Sequence, residues 1–332
     1  MLELDGSDAG GQPLRTALSL AVCTDTAFRM TNVRADRPDP GLKHAHRAAV
    51  ELVAAACDAT VEGAELDSEE VTFEPGDGPR ESTLTVDVGT AGATTLLADA
   101  LLPVATAIDA PLSATLTGGT DVTWSPPADY LRRVKLPLLS ECGLDAACRV
   151  ARRGFYPVGG GRLRLDLRPS TLSPLERDER GRPTSLDVYA VESESLADAD
   201  VAERMASTVE ASLSASVTTH TETAPADSPG AVVTLVAETA RSRAGFAALG
   251  ERGVSAEEVG ERAAERFESW RGGTAAVDAH LADQLLVWLA LAGGAVSVPE
   301  ETAHVRSNVE TIRAFGFDVR READEKGIRY RA

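Results

Sequence analysis

One arrangement of segments recurs three times along this 332-residue chain and constrains its fold more than any single motif. In each copy a strand leads through a turn of small residues to an apolar helix, and a second helix then leads to a hairpin. The copies begin near Met1, Thr83 and Gly272. Each copy would place its helices on one side of a small sheet. We therefore predict an α/β (α+β) fold in which three βαβαββ-like units form a large domain around a common axis.

Periodic patterns support these units. The predicted helix Ala276–Ala292 carries leucines at the spacing of one helix face. The predicted strand Arg162–Leu167 alternates charged residues with leucine, so one face is apolar and the other polar. Packing around a common axis would bring the helix N-termini of the units together in one composite cleft.

The second and third units are separated by a segment with its own strand and helix patterns. It begins at the polar, turn-rich stretch Arg177–Pro183. We therefore predict a small inserted α/β domain over 177–271, with residues 1–176 and 272–332 forming the large domain. The predicted elements of the insertion are the strands Ser185–Val191 and Ala231–Glu238 and the helices Asp198–Ser212 and Ala256–Trp270.

The charge balance is strongly acidic. The net charge is −19, and the basic residues include only Lys43, Lys135 and Lys326 as lysines. Scarce lysine and 4% aromatic residues are typical of a halophilic protein from a salt-loaded cytoplasm. There the Debye length is about 3 Å at molar salt, so net charge reports the solvent more than the ligand. Local basic clusters are then the better guide to a nucleic acid partner.

Other compositional features indicate a cytoplasmic protein without a membrane partner. No apolar run reaches the roughly 20 residues that a bilayer crossing needs, and the acidic start Met1–Asp5 has no signal-peptide character. The scattered cysteines show neither disulfide nor zinc spacing. They are Cys23, Cys57, Cys142 and Cys148.

Glycine-rich turns precede several predicted helices. Glycine lets the backbone approach an anion, and a helix N-terminus offers free N–H groups, so several such turns indicate phosphate binding. Neither a Walker A motif nor a G-x-G-x-x-G fingerprint is present. The turns are Gly10–Pro13, Gly89–Ala93, Gly118–Asp121 and Gly272–Thr274.

Aspartates accompany these turns and are either helix caps or oxygen ligands for a divalent metal. A basic cluster, Arg34–Arg47, stands out against the acidic background. His304 lies at the start of the last predicted helix, and a neutral imidazole can attack phosphorus. The aspartates are Asp5, Asp8, Asp87, Asp99, Asp121, Asp129 and Asp283.

These motifs, in unbroken order from residue 2 to about residue 320, resemble the RNA 3′-terminal phosphate cyclase family. The resemblance begins with Leu4–Gly6 and Gly10–Ser19. It continues through Arg34–Leu42, Gly89–Gly92, Gly118–Asp121, Pro126–Tyr130, Gly154–Gly161, Gly250–Gly253 and His280–Leu285.

The resemblance implies a reaction and a set of residues. Members of the family use ATP to convert an RNA 3′-phosphate into a 2′,3′-cyclic phosphodiester, through an enzyme–histidinyl-AMP and an RNA(3′)pp(5′)A intermediate. Their fold has three repeats and a small inserted domain. The family's histidine nucleophile falls on His304 and its essential arginines on Arg15, Arg34 and Arg37. Its ATP-binding positions fall on Gly10, Gly11, Gln12, Asp99, Pro126, Tyr130, His280, Asp283 and Gln284.

Three positions depart from the family pattern. The N-terminal glycine-rich motif is shortened, and Asp8 or Ala9 stands where a glutamate tied to metal and phosphate is expected. We assign Asp8 as the candidate ligand for Mg²⁺ or Mn²⁺. Asp99 replaces a glutamine that contacts the nucleotide, and His280 replaces a tyrosine that stacks on adenine.

Two alternatives remain open. A non-catalytic, cyclase-like protein of ribosome assembly would share the fold but lack the histidine, so His304 disfavours it. An enolpyruvyl transferase would share the repeats, but this chain has none of the lysine-rich substrate motifs expected there.

Overall fold

A computed structural model describes residues 1–7, 10–325 and 327–332. It contains four four-stranded sheets, of which three repeat one topology. In each of these three the first two strands are parallel, and the fourth strand lies between the second and the third. The predicted α+β fold with three βαβαββ units is confirmed.

The first unit has the strand order β1-β2-β4-β3. Helix α1 begins directly after Gly11, with Pro13 in its first turn, where the missing N–H of proline costs nothing. Its elements are β1 (Leu2–Asp5), α1 (Gln12–Thr24), β2 (Phe28–Thr31), α2 (His44–Cys57), β3 (Thr60–Glu62) and β4 (Val71–Glu74).

The second unit has the order β5-β6-β8-β7. A single π-helical turn, Leu131–Lys135, joins two short helices, and such turns often mark functional positions. The elements are β5 (Thr83–Asp87), α3 (Thr94–Leu101) with a 3₁₀ extension to Thr106, β6 (Leu112–Gly118), α4 (Ala128–Tyr130), α5 (Leu136–Ser140), β7 (Ala146–Arg152) and β8 (Gly161–Leu167).

The third unit is interrupted by the insertion. Its first strand, β9 (Leu175–Arg177), pairs in parallel with β14 (Gly294–Val298), which follows the insertion. The predicted boundary at 176/177 therefore falls inside β9. The remaining elements are α8 (Ala279–Gln284), α9 (Leu286–Ala292), α10 (Ala303–Ala314), β15 (Arg320–Asp324) and β16 (Gly327–Arg331).

The inserted segment has a hydrophobic core of its own, in which the helices α6 and α7 cover one face of the sheet β11-β10-β12-β13. Buried Arg153 of the second unit reaches across to it and donates to Glu222 at 2.9 Å as well as to Asp129 at 2.7 Å. The elements are β10 (Pro183–Ser193), a 3₁₀ turn (Glu194–Ala199), α6 (Val201–Ser212), β11 (Thr218–Ala224), β12 (Ala231–Thr239), β13 (Arg243–Leu249) and α7 (Ala256–Gly272).

Candidate functional site

The Gly10–Gly11 turn lies where the helices α1 and α10 meet. A Cβ atom placed on Gly10 would lie 3.6 Å from His304 Cε1 and 3.5 Å from Arg37 Nη2. A Cβ atom on Gly11 would collide with the His46 ring and lie 2.9 Å from Arg15 Nη1. At the N-terminus of α1, the glycine turn is therefore surrounded by the imidazoles of His304 and His46 and by the guanidinium groups of Arg37 and Arg15.

His304 occupies the second position of α10 and is exposed. Thr302 caps the start of the helix, and its side chain accepts a hydrogen bond from the Val305 N–H at 3.2 Å. Partial desolvation of its ring lowers the pKa of His304, and the positive charges of Arg37 and Arg15 lower it further. The imidazole is thereby held neutral, which is the state of a nucleophile.

Asn308, one helical turn after His304, fixes the position of α10. This fully buried side chain accepts a hydrogen bond from Thr16 Oγ1 at 2.6 Å and donates to the Asp283 carbonyl oxygen at 2.7 Å. It therefore ties α10 to both α1 and α8. Its spacing from His304 was visible in the sequence, but its two partners were not.

A narrow polar cavity extends from the turn into the large body. Gln12, Asp99 and Gln284, three of the predicted ATP-binding residues, line it together with Arg15 and Lys135. Arg15 donates to Gln12 Oε1 at 2.6 Å, whereas its Nε is buried without a partner among the described residues. An unpaired buried guanidinium nitrogen favours an anionic ligand in this cavity.

The cavity floor holds a buried ion pair. Lys135 Nζ donates to Asp99 Oδ1 at 2.6 Å, with side-chain exposures of 2% and 9%. Close by, burial raises the pKa of Asp283 to about 6, although His280, Lys135 and Arg15 oppose the shift. Sequence reasoning missed Lys135, because its partner lies in a different helix of the second unit.

His46 completes the cluster at the turn. Its Nδ1 accepts a hydrogen bond from the Lys43 backbone N–H at 3.1 Å, so Nε2 carries the proton and faces Gly11. Burial lowers the pKa of His46 to about 3, assisted by the charges of Arg15, Arg34 and Lys43. His46 is thus a neutral N–H donor at the turn, although the sequence placed it only within a basic cluster.

Arg34 and Arg37 lie in the loop between β2 and α2. Arg34 adopts a left-handed backbone (φ 57°) and donates from Nη1 to the Gly41 carbonyl at 2.8 Å. Burial lowers the pKa of Arg34, and the neighbouring charge of Arg37 lowers it further. Arg37 is exposed and reaches the Gly10 turn. The loop thus aims one of its two arginines at the same turn as His304.

The predicted adenine-flanking residues differ in accessibility. His280 is exposed, whereas Tyr130 is fully buried beneath it in an edge-to-face contact, with ring centroids 5.7 Å apart. Tyr130 donates its hydroxyl to Asp278 at 2.6 Å, and Asp278 also caps α8. Pro126 is buried, and its carbonyl accepts from Thr95. Of this set, His280 alone presents an exposed ring.

The metal prediction lies outside the described residues, because it rests on Asp8. Within residues 1–7, 10–325 and 327–332 no three His, Cys, Asp or Glu side chains form a metal-binding group. Over the same ranges, none of the helices has the length and apolarity needed to span a membrane. The turn Gly272–Thr274 was expected to lead directly into a helix. It instead ends α7 at Gly272, and α8 begins only after Asp278.

The chain is similar to known proteins along nearly its whole length. The profile of the family "RNA 3′-terminal phosphate cyclase" matches residues 7–320. A protein of that name from Halobacterium salinarum is 49% identical over 98% of this chain and 97% of its own length. A protein of the same name from Pyrococcus furiosus is 38% identical over 98% of this chain and 97% of its own length. Another from Archaeoglobus fulgidus is 39% identical over 95% of both chains.

Proposed function

Because this chain belongs to the RNA 3′-terminal phosphate cyclase family, we propose that it is an ATP-dependent ligase that converts RNA 3′-terminal phosphates into 2′,3′-cyclic phosphodiesters. The observation that carries the proposal is the meeting of His304, Arg37 and Arg15 at the Gly10–Gly11 turn. A neutral nucleophile, two cations and free helix N–H groups are what transfer of a nucleotidyl group requires.

In the first step we assign His304 as the nucleophile. Its imidazole attacks the α-phosphorus of ATP, the bond to the bridging oxygen breaks, and pyrophosphate leaves. Arg15 lies beside the turn, has a buried nitrogen without a partner among the described residues, and would stabilise the charge on the departing phosphates. Gly10, Gly11 and Gln12 would bind the phosphates, since they open α1.

In the second step the RNA 3′-phosphate attacks the phosphorus of the histidine-bound AMP and releases His304, forming RNA(3′)pp(5′)A. Arg34 and Arg37 would orient this phosphate, because a guanidinium fork binds two oxygens at once. The adjacent 2′-hydroxyl then attacks the 3′-phosphorus and AMP leaves. This last step is intramolecular, and well-oriented intramolecular reactions reach effective molarities of about 10⁵–10⁸ M.

For the adenine we propose a place against His280, supported from below by Tyr130, with Pro126, Asp99, Asp283 and Gln284 shaping the pocket. Buried Tyr130 would act through His280 rather than by touching the base. A divalent ion, Mg²⁺ or Mn²⁺, would enter with the ATP phosphates, since magnesium is held by few carboxylates and by phosphate oxygens. The described residues form no protein cage for it. We place the reaction in the cytoplasm, where ATP and RNA ends meet.

Incubation with α-labelled ATP followed by denaturing electrophoresis tests the proposal. The wild type is expected to retain label, and His304→Ala to lose both the label and cyclisation while keeping its fold. His220→Ala is the matched control, because His220 lies on the exposed edge strand β11 of the inserted segment. Wild-type labelling of His304→Ala would refute the assignment of the nucleophile. Absence of label on the wild type would favour the non-catalytic, cyclase-like alternative.

A further inference from the structure

One face of the β5-β6-β8-β7 sheet is polar and open to solvent. The opposite face packs into the main core through Leu84, Leu116 and Leu163. On the open face, cross-strand pairing sets the residues in two rows beside each other. The first row is Thr85, Thr115, Arg164 and Arg149, and the second is Asp87, Thr117, Arg162 and Arg152.

Arginines therefore stand directly opposite arginines on this face. Arg149 pairs with Arg164 across the β7–β8 ladder, and Arg152 pairs with Arg162. Like charges in such positions destabilise a sheet. Arg152 is neutralised by Asp227 at 2.5 Å and Arg164 by Asp166 at 3.2 Å. Arg149 and Arg162 are exposed and make no ion pair with any described residue. In a chain of net charge −19, these two cations favour an anionic ligand, although Arg149 also lies near enough to Asp166 to lower the pKa of that carboxyl.

The same sheet leads to the candidate site. The parallel strands β5 and β6 both end beside the Arg162 row: the loop after β5 contains Gly92, and β6 ends at Gly118. A Cβ atom on Gly92 would lie 3.2 Å from the Cβ of Ala45, at the start of α2. Its neighbour His46 contacts the Gly10–Gly11 turn. The end of the arginine face therefore lies in contact with the start of α2, which in turn contacts the turn beside His304.

Exposed aromatic residues stand in the loops at this end of the sheet. Trp124, which follows β6, is 96% exposed, and Tyr156, between β7 and β8, is 72% exposed. Their loops are joined by the hydrogen bond from the Thr120 N–H to the Gly154 carbonyl at 2.9 Å. Aromatic side chains beside a positive groove are the combination that binds single-stranded nucleic acid by stacking and phosphate contacts.

Resting on the proposed function, we infer that this face binds the RNA strand upstream of its 3′ end. Arg162 and Arg149 contact backbone phosphates, the threonine hydroxyls of β5 and β6 line the track, and Trp124 stacks on a base. The rows lie two residues apart, about 7 Å at the rise of a strand. Contacts therefore begin close to the site and extend away from it, so that affinity grows with RNA length.

The test compares a 3′-phosphorylated dinucleotide with a 3′-phosphorylated 20-mer, using Arg149→Glu/Arg162→Glu. Arg182→Glu/Arg252→Glu is the matched control, because it makes the same charge change at two exposed arginines of the inserted segment. We expect the first variant to bind the 20-mer about tenfold more weakly, with the slope of log affinity against log salt reduced by about 1.4 for two lost phosphate contacts. Affinity for the dinucleotide and enzyme–AMP formation should not change.

Equal 20-mer affinity in the two double variants would overturn the inference, as would an equal loss for the dinucleotide. Tryptophan emission gives a second test, because Trp270 and Trp288 are only 7% and 1% exposed. The 20-mer should quench the emission of the wild type but not that of Trp124→Phe, and an unquenched wild type would show that RNA does not pass Trp124. RNA binding is measured without ATP and therefore does not depend on cyclase activity. If the proposed function were wrong, the separate labelling experiment would show no enzyme–AMP.

Discussion

At the scale of single residues, the proton state of His304 follows from its surroundings. Burial, Arg37 and Arg15 all lower its pKa, so the reactive neutral form persists below pH 6.5, the ordinary value. Replacing Arg37 by Gln removes a positive charge and raises this pKa. The acid limb of enzyme–AMP formation should therefore move to higher pH in Arg37→Gln, as measured by single-turnover labelling between pH 4 and 8.

The matched control is Arg306→Gln, an exposed arginine on α10 that is not among the groups perturbing His304. Its acid limb should coincide with that of the wild type. An unmoved limb in Arg37→Gln would mean that the arginine does not act on the imidazole through its charge.

Asn308 is the second residue with a definable consequence. Asn308→Leu leaves the buried Thr16 hydroxyl and the partly buried Asp283 carbonyl without these hydrogen bonds, and a buried group left unpaired costs about 1–3 kcal/mol. Urea unfolding should show this loss, and the rate of enzyme–AMP formation should fall because α10 is no longer anchored beside α1.

A double-mutant cycle with Thr16→Val separates the two bonds. The double variant should be less destabilised than the sum of the single variants, because each single change strands the other partner. Strict additivity would show that the hydrogen bond between these residues does not contribute to stability.

At the scale of secondary-structure elements, the π-helical turn Leu131–Lys135 places a charge in the core. Lys135→Met would leave Asp99 buried without its partner and should cost about 3–5 kcal/mol in chemical denaturation. Lys135→Met/Asp99→Leu removes both charges and should regain most of that loss. A double variant as unstable as Lys135→Met would indicate that packing, not charge, decides the effect.

The sequence predicted the repeated architecture because the helices and strands recognised in it carry their own period. It did not reveal β9, whose three residues are too few to show alternation and whose partner follows the insertion. It also missed β11, because that strand is exposed along its length except at Ala224 and has no apolar face.

The candidate site shows the same division. His304 and the glycine turns were recognisable as local motifs, and the resemblance supplied the arginines and the nucleotide-binding positions. His46, Lys135 and Asn308 were not predicted, because their roles depend on long-range contacts. Thr16 and Asn308, for example, are 292 positions apart in the chain. Local patterns therefore predicted the main parts of the candidate site, whereas the residues that position them became visible only in the tertiary structure.

At the scale of the whole molecule, salt should act on the acidic exterior. Buried pairs such as Lys135–Asp99 are screened little, whereas repulsion among exposed carboxylates grows as salt is removed. Below about 0.5 M KCl the Debye length exceeds roughly 4 Å, and both the melting temperature and cyclisation should fall. Activity should persist at molar KCl, because recognition of one terminal phosphate uses short, partly desolvated contacts.

Helix α7 allows this explanation to be tested at defined positions. Glu261 and Glu265 are exposed and make no ion pair with any described residue, whereas Glu257 is paired with Arg204 at 2.8 Å. Glu261→Gln/Glu265→Gln removes unscreened repulsion, so it should raise the melting temperature more in 0.2 M KCl than in 2 M KCl. Glu257→Gln, which breaks an attraction, should not stabilise the protein at low salt. A wild-type melting temperature that is equal or higher at 0.2 M KCl would refute the salt-adapted interpretation while leaving the cyclase proposal intact.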